Sequence, residues 1–267
     1  MLDSLFQAFS YDFIQHAFLA GTLAAILAGV VGYFVMLRQM AFATHALGHI
    51  GFAGASGALL ISLSPLVGQF ILTLMAAGAM GLLGEKISKN DMVIGIILSF
   101  CLGLGSLFLS IYNGYAGSAT IILFGNLLGV SAQDLLAMLC LTLLSLFFLG
   151  FIARRLLFSS LEPEIAEAKG ISLFWISLVF LLILAAAVTL TSQVVGIILI
   201  FTLLVGPAAI AIQWTKKFWT GMSVSVLVAM ITVWLGIGLA YLTDWPLSFW
   251  ISTSIFLLYS ITKLASI

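Results

Sequence analysis

The sequence predicts an all-α polytopic membrane protein, and its composition, its apolar runs and the distribution of its charges all favour this class. Of its 267 residues, 63% are hydrophobic and 7% are charged, whereas soluble domains carry about 25% charged residues. A formal net charge of zero without a basic stripe excludes a nucleic-acid-binding protein. Because a spanning helix needs about 20 residues, the chain holds about nine spans. We therefore expect one transmembrane domain over residues 1–267, embedded in lipid.

Charges, prolines and polar clusters divide the chain into apolar runs that predict nine membrane-spanning helices. A further apolar stretch at residues 121–130 is too short to cross, and it is predicted to be re-entrant or interfacial. The nine predicted spans are about 16–37, 40–63, 65–84, 91–111, 132–152, 171–191, 194–213, 219–242 and 246–263.

With nine spans, every lysine and arginine falls on the same side of the membrane, and that side carries the C-terminus. The positive-inside rule then places the N-terminus outside and the C-terminus in the cytoplasm. A miscounted span would scatter the basic residues over both sides. The nine basic residues are Arg38, Lys86, Lys89, Arg154, Arg155, Lys169, Lys216, Lys217 and Lys263.

Two histidines within the second predicted span are the first candidate functional feature. His45 and His49 are four residues apart and therefore share one helical face. Counted from Gln39 at 1.5 Å per residue, His49 lies roughly 15 Å deep in a hydrocarbon core about 30 Å thick. Ionisable groups at that depth cost free energy and usually line a pathway. We predict that the pair binds a metal ion on a path; interhelical hydrogen bonding is the alternative.

The second candidate feature is the predicted cytoplasmic segment at residues 154–170, which carries six of the chain's charges. Pro163 at an early helical position and Glu164 in the first turn predict a short helix. Gly170 is placed to end that helix. The segment is predicted to be either a solvated connector or a helix along the membrane face that docks a cytoplasmic partner.

Gly206 and Pro207 interrupt the seventh predicted span and form the third candidate feature. Proline removes one backbone donor and frees a carbonyl one turn earlier. The pair therefore predicts a hinge or a carbonyl exposed on a path, with an ordinary kink as the other interpretation.

Two other function classes receive less support from the residues. A secondary transporter driven by an ion gradient usually carries acidic residues near the midplane, and no Asp or Glu falls deep within the predicted spans. An intramembrane metalloenzyme needs a third metal ligand and a general base beside the histidines, and the sequence pattern shows neither.

Three stretches together have the pattern of a known family, namely AFATHALGHIGFAGASGALL in span two, LEPEIAEAKGIS in the cytoplasmic segment and QVVGIILIFTLLVGPAAIA in span seven. They resemble the membrane permease subunits of the ATP-binding-cassette importers for zinc, manganese and iron. The cytoplasmic stretch resembles the family segment that docks into the ATPase, which implies an ATPase contact through Glu162, Pro163, Glu164, Lys169 and Gly170.

The resemblance also implies partners and a substrate. It implies a homodimer, or a pair of related permeases, on cytoplasmic ATP-binding subunits, with an extracytoplasmic metal-binding protein at the bacterial inner membrane. ATP hydrolysis is expected in a separate chain, so this chain is not expected to be an enzyme or to hold a permanent cofactor. The family's first metal position is typically Asp and is His45 here. Two neutral imidazoles suit zinc better than manganese, so zinc is the expected substrate, with manganese or iron as alternatives.

Overall fold

A computed structural model describes residues 12–83, 91–112, 125 and 127–265, and all regular secondary structure in this part of the chain is helical. Two 3₁₀ turns, Leu127–Gly129 and Ile197–Leu199, lie among the α-helices. The α-helices are α1 (Asp12–Leu37), α2 (Ala41–Leu60), α3 (Pro65–Leu83), α4 (Asp91–Ile111), α5 (Ala132–Leu161), α6 (Pro163–Ala168), α7 (Leu173–Val195), α8 (Ile200–Trp214), α9 (Phe218–Thr243) and α10 (Leu247–Ala265).

The helical, polytopic class predicted from the sequence is confirmed. In the described part of the chain, seven helices are long and apolar enough to cross a membrane, namely α1, α3, α4, α5, α7, α9 and α10. Helices α2 and α8 match the other two predicted spans in position. Histidine and glycine residues lower the mean hydropathy of α2. Helix α8 has 15 residues, which form about 22 Å of helix, whereas the hydrocarbon core is about 30 Å thick. The count of nine spans and the orientation stay predictions.

Helix α5 is longer than the sequence predicts, because it continues to Leu161 rather than ending near residue 152. Arg154 and Arg155 therefore lie on this helix and not in a connector. The helix begins at a capping box formed by Ser131 and Asp134. No glycine or proline interrupts residues 151–161, and the helix ends only where the residue before Pro163 is forced out of the α region.

The boundary between the sixth and seventh predicted spans also differs from the prediction. The sixth span is predicted to end near residue 191, whereas helix α7 continues to Val195. Gly196 then adopts a φ of 76°, in the left-handed region that favours glycine. Ile197 and Ile200, which follow Gly196, are both buried. Helix α8 thus starts inside the protein.

The predicted re-entrant stretch falls partly outside the described residues. Its described end forms the 3₁₀ turn Leu127–Gly129, and the side chains of Leu127 and Val130 are buried. This burial against protein fits the requirement that irregular backbone at membrane depth be covered.

Helices α1 and α7 form the centre of the bundle. In the apolar stretch of each, 67% of the residues are buried, against 17% for α4 and 22% for α5. Helix α1 packs against α5, α7, α8 and α9, whereas α2 packs against α3 and α4 on one side and against α7 and α8 on the other. The exposed faces of α4 and α5 are apolar, as expected of helices that meet lipid.

Candidate metal path and docking segment

The two predicted metal ligands lie side by side on one face of α2. The ring centroids of His45 and His49 are 4.5 Å apart, with planes inclined at 78°. His45 also makes an edge contact with Phe201 at the start of α8, at 5.9 Å between centroids. His45 is exposed and His49 is partly buried. The pair therefore opens at the surface of a single chain, with two imidazoles accessible from the same direction.

The surroundings of this pair limit what one chain can bind. Among the described residues, no group of three or more His, Cys, Asp or Glu side chains is placed to hold a metal ion. Two ligands are fewer than the four of a closed zinc site. An ion on a path must leave as well as enter, so an open, incomplete site suits transport better than storage.

Glycines on the other faces of α2 fix the orientation of the histidine face. Gly54 lies against the backbone of α3, where an added Cβ would overlap the carbonyl oxygen of Gly68. At Gly51 an added Cβ would lie 2.9 Å from the Gln69 side chain. Close packing against neighbouring helices, rather than space for a ligand, therefore explains these glycines. Gly48 and Gly57 likewise lie against the side chains of Ile200 and Phe108 respectively.

The docking segment, defined as residues 162–170, forms the short helix that the sequence predicts. Pro163 occupies the first position of α6, and Gly170, with a φ of 77°, lies two residues after its end. The backbone N–H of Ile171 donates to the carbonyl of Ala166 at 3.0 Å, which closes the turn. Ala166 is the buried member of α6, and the helix contacts α5 and α7. All five predicted docking residues, Glu162, Pro163, Glu164, Lys169 and Gly170, are exposed.

The third candidate feature lies within α8, which continues through Pro207 without a break. Pro207 is buried. An added Cβ on Gly206 would overlap the side chain of Ile255 on α10. Close packing of α8 on α10 therefore accounts for Gly206, and a hinge or path role for the pair stays a prediction.

Comparison with known proteins identifies the family. The model of the ABC 3 transport family matches residues 10–265. This chain belongs to that family. The resemblance to metal-importer permeases drawn from the three stretches is thereby confirmed, and together with the seven apolar helices it makes the permease a multi-pass protein of the bacterial plasma membrane.

Individual relatives cover most of the permease. It is 31% identical over 239 residues to the manganese transport system membrane protein MntC of Halalkalibacterium halodurans, covering 89% of this chain and 82% of the relative. It is 30% identical over 251 residues to the probable iron transport system membrane protein of Haemophilus influenzae, covering 91% and 86% respectively. Its fold matches a chain of the structure of PsaBC from Streptococcus pneumoniae in complex with Fab, with a TM-score of 0.86, 26% identity and coverage of 98% and 95%.

A polar network beside the histidine helix was missed by sequence reasoning. Gln69 is 2% exposed, and its Nε2 donates to the hydroxyl of Ser192 at 2.6 Å. One turn away, the hydroxyls of Thr73 and Thr189 are 3.1 Å apart. The network joins α3 to α7 and touches α2 at Gly51. The sequence signal for this network is the pair Gln69 and Thr73, because polar residues four apart in an apolar helix share one face.

Proposed function

We propose that this permease is the membrane subunit of an ATP-driven importer of divalent metal ions, and that the ion is bound in passing by His45 and His49. The observation that carries the proposal is the pair of adjacent imidazoles on one open face of α2, in a member of the ABC 3 family. The names of the relatives, which specify manganese and iron transport, support a metal substrate.

The donor set supports zinc as the preferred ion. Both candidate ligands are nitrogen atoms, and neutral imidazole suits zinc, whereas manganese prefers carboxylate oxygen. The relatives' names instead favour manganese or iron. Uptake measured with zinc, manganese and iron(II) in competition decides between these alternatives.

The other components of the importer are proposed to be separate chains. The sequence contains no phosphate-binding loop of the Walker type, so cytoplasmic ATP-binding subunits supply the energy and contact the exposed docking segment. An extracytoplasmic metal-binding protein delivers the ion. A second copy of the permease, related by a two-fold axis, supplies a second pair of imidazoles and brings the ligand number to the four of a typical zinc site.

The proposal is tested with the assembled complex in vesicles. His45→Ala and His49→Ala are each expected to reduce ATP-dependent metal uptake at least tenfold, because removing either imidazole halves the ligands of one chain. Assembly with the ATPase and basal ATP hydrolysis are expected to persist. His16→Ala removes the chain's third histidine, which lies in the first turns of α1, and is the matched control with wild-type uptake expected. Unchanged uptake in both α2 variants would refute the path role.

Metal preference has its own test at the first ligand position. His45→Asp replaces an imidazole nitrogen with carboxylate oxygen and is expected to keep transport while raising manganese uptake relative to zinc. The measurement is the ratio of the two uptake rates in one vesicle preparation. An unchanged ratio would show that this position does not select the metal.

A further inference from the structure

Arg38, in the connection between α1 and α2, makes an unusual set of contacts. Its guanidinium donates to three serine hydroxyls, to Ser177 at 2.5 Å, to Ser160 at 3.3 Å and to Ser159 at 3.4 Å. Its Cζ also lies 5.8 Å from the ring centroid of Phe180. One arginine thus joins the end of α5 to the first turns of α7.

The charge of Arg38 has no acidic partner among the described residues. Its Nε is enclosed without a hydrogen-bond acceptor, and burial lowers the pKa of Arg38 to about 10, which leaves it protonated at neutral pH. Enclosing a charge without a counter-ion is costly. The three serine hydroxyls are therefore the hydrogen-bond acceptors that hold this charge in the described part of the chain.

The position of these contacts connects two regions of the permease. Ser159 and Ser160 lie in the last turn of α5 and Ser177 in the second turn of α7, the two helices that flank the docking segment. On its other side, Arg38 is three residues before Ala41, the first residue of α2. His45 lies one turn further along α2.

The short connection from Arg38 to α2 leaves little slack. The backbone N–H of Arg38 donates to the carbonyl of Phe34 at 2.9 Å, and that of Met40 donates to Val35 at 2.9 Å. Gln39 between them adopts a φ of 56°. The backbone that joins Arg38 to α2 is therefore a hydrogen-bonded turn and not a loose loop.

We propose that Arg38 is a positioning residue that couples the docking segment to the histidine-bearing helix. When an ATPase displaces α6 and the adjoining ends of α5 and α7, the serine contacts of Arg38 carry that displacement to α2 and change the accessibility of His45 and His49. This inference rests on the proposed ATP-driven function.

The test measures metal ions transported per ATP hydrolysed in vesicles, together with ATPase retention and thermal unfolding of the complex in detergent. Arg38→Met keeps the apolar stem but removes the guanidinium, and it is expected to lower the transport ratio about tenfold. Basal hydrolysis and ATPase retention are expected to stay at wild-type levels. Lys216→Met removes an exposed charge from the α8–α9 connection and is the matched control, with an unchanged ratio expected.

Ser177→Ala keeps the test decisive if Arg38→Met fails to assemble. It deletes one hydroxyl and is expected to lower the ratio severalfold, and in the Arg38→Met background it is expected to add no further loss, because both changes remove the same contact. A wild-type ratio in either single variant, or a loss of stability with an unchanged ratio, would overturn the coupling role. A wild-type complex without ATP-dependent uptake would instead overturn the proposed function, and this inference with it.

Discussion

At the scale of single residues, glycines decide how closely α2 approaches its neighbours. The contact at Gly51 is with a side chain, that of Gln69, whereas the contact at Gly54 is with the backbone carbonyl of Gly68. A side chain can be shortened by mutation and a carbonyl cannot. We therefore expect Gly51 and Gly54, three residues apart on α2, to differ in their tolerance to substitution.

Gly51→Ala is expected to destabilise the permease by about 1–3 kcal/mol, the usual cost of overpacking. In a Gln69→Ala background the same change is expected to cost less, because the atoms that it meets are gone. The cost of Gly54→Ala is expected to be the same in the Gln69→Ala background, because its added Cβ meets the backbone carbonyl of Gly68. Thermal unfolding in detergent measures each variant, with Gly78→Ala on α3, where no atom lies within 4 Å of an added Cβ, as the control. Equal costs in both backgrounds would contradict the assignment.

At the scale of helices, polar side chains join α3 to α7 through the hydrogen bond between Gln69 and Ser192. Interhelical hydrogen bonds in membrane proteins average about 0.6 kcal/mol and reach about 1.7 kcal/mol. Both groups are buried here, so bulk water does not compete for this hydrogen bond. A double-mutant cycle with Gln69→Leu and Ser192→Ala is expected to give a coupling energy in this range. Additive losses of stability would show that the two residues act independently.

The second prediction at this scale concerns helix α6 in the docking segment. Glu164→Lys reverses an exposed charge in its first turn and is expected to release the ATPase in a detergent pull-down. Because the side chain is exposed, stability is expected to change by less than about 0.5 kcal/mol. Glu164→Gln, which has a side chain of similar size, removes the charge without reversing it and so separates the effects of these two changes. If Glu164→Lys retains the ATPase and supports normal uptake, the segment is only a connector.

At the scale of the whole molecule, nine spans would place every lysine and arginine on one side of the membrane, and the positive-inside rule then predicts the orientation of the bundle. It predicts that Ser64, in the exposed α2–α3 connection, lies outside and that Glu167, exposed on α6, lies in the cytoplasm. In a Cys101→Ala, Cys140→Ala background, Ser64→Cys is expected to react with a membrane-impermeant thiol reagent in intact cells. Glu167→Cys is expected to react only after the cells are opened. Labelling of Glu167→Cys in intact cells would contradict the predicted orientation.

Local signals in the sequence predicted much of the fold and of the candidate site. The spacing of His45 and His49 placed both rings on one face, and Pro163 with Gly170 predicted the limits of α6. Helix α5 continues about nine residues beyond the predicted end of the fifth span near residue 152, because the charged residues at 154 and 155 end an apolar run but not a helix. Arginine is a good helix former, and only Pro163 stops this helix.

The sequence by itself determined the membrane class, the helices and the local face of the histidine pair, because hydropathy, helical period and proline or glycine chemistry act between near neighbours. Tertiary structure alone decided which faces meet. The contacts of Gln69 with Ser192 and of Arg38 with Ser177 join residues 123 and 139 positions apart. No periodic pattern encodes such pairs, since they depend on how whole helices pack and on which polar groups must find partners once lipid and protein have excluded water.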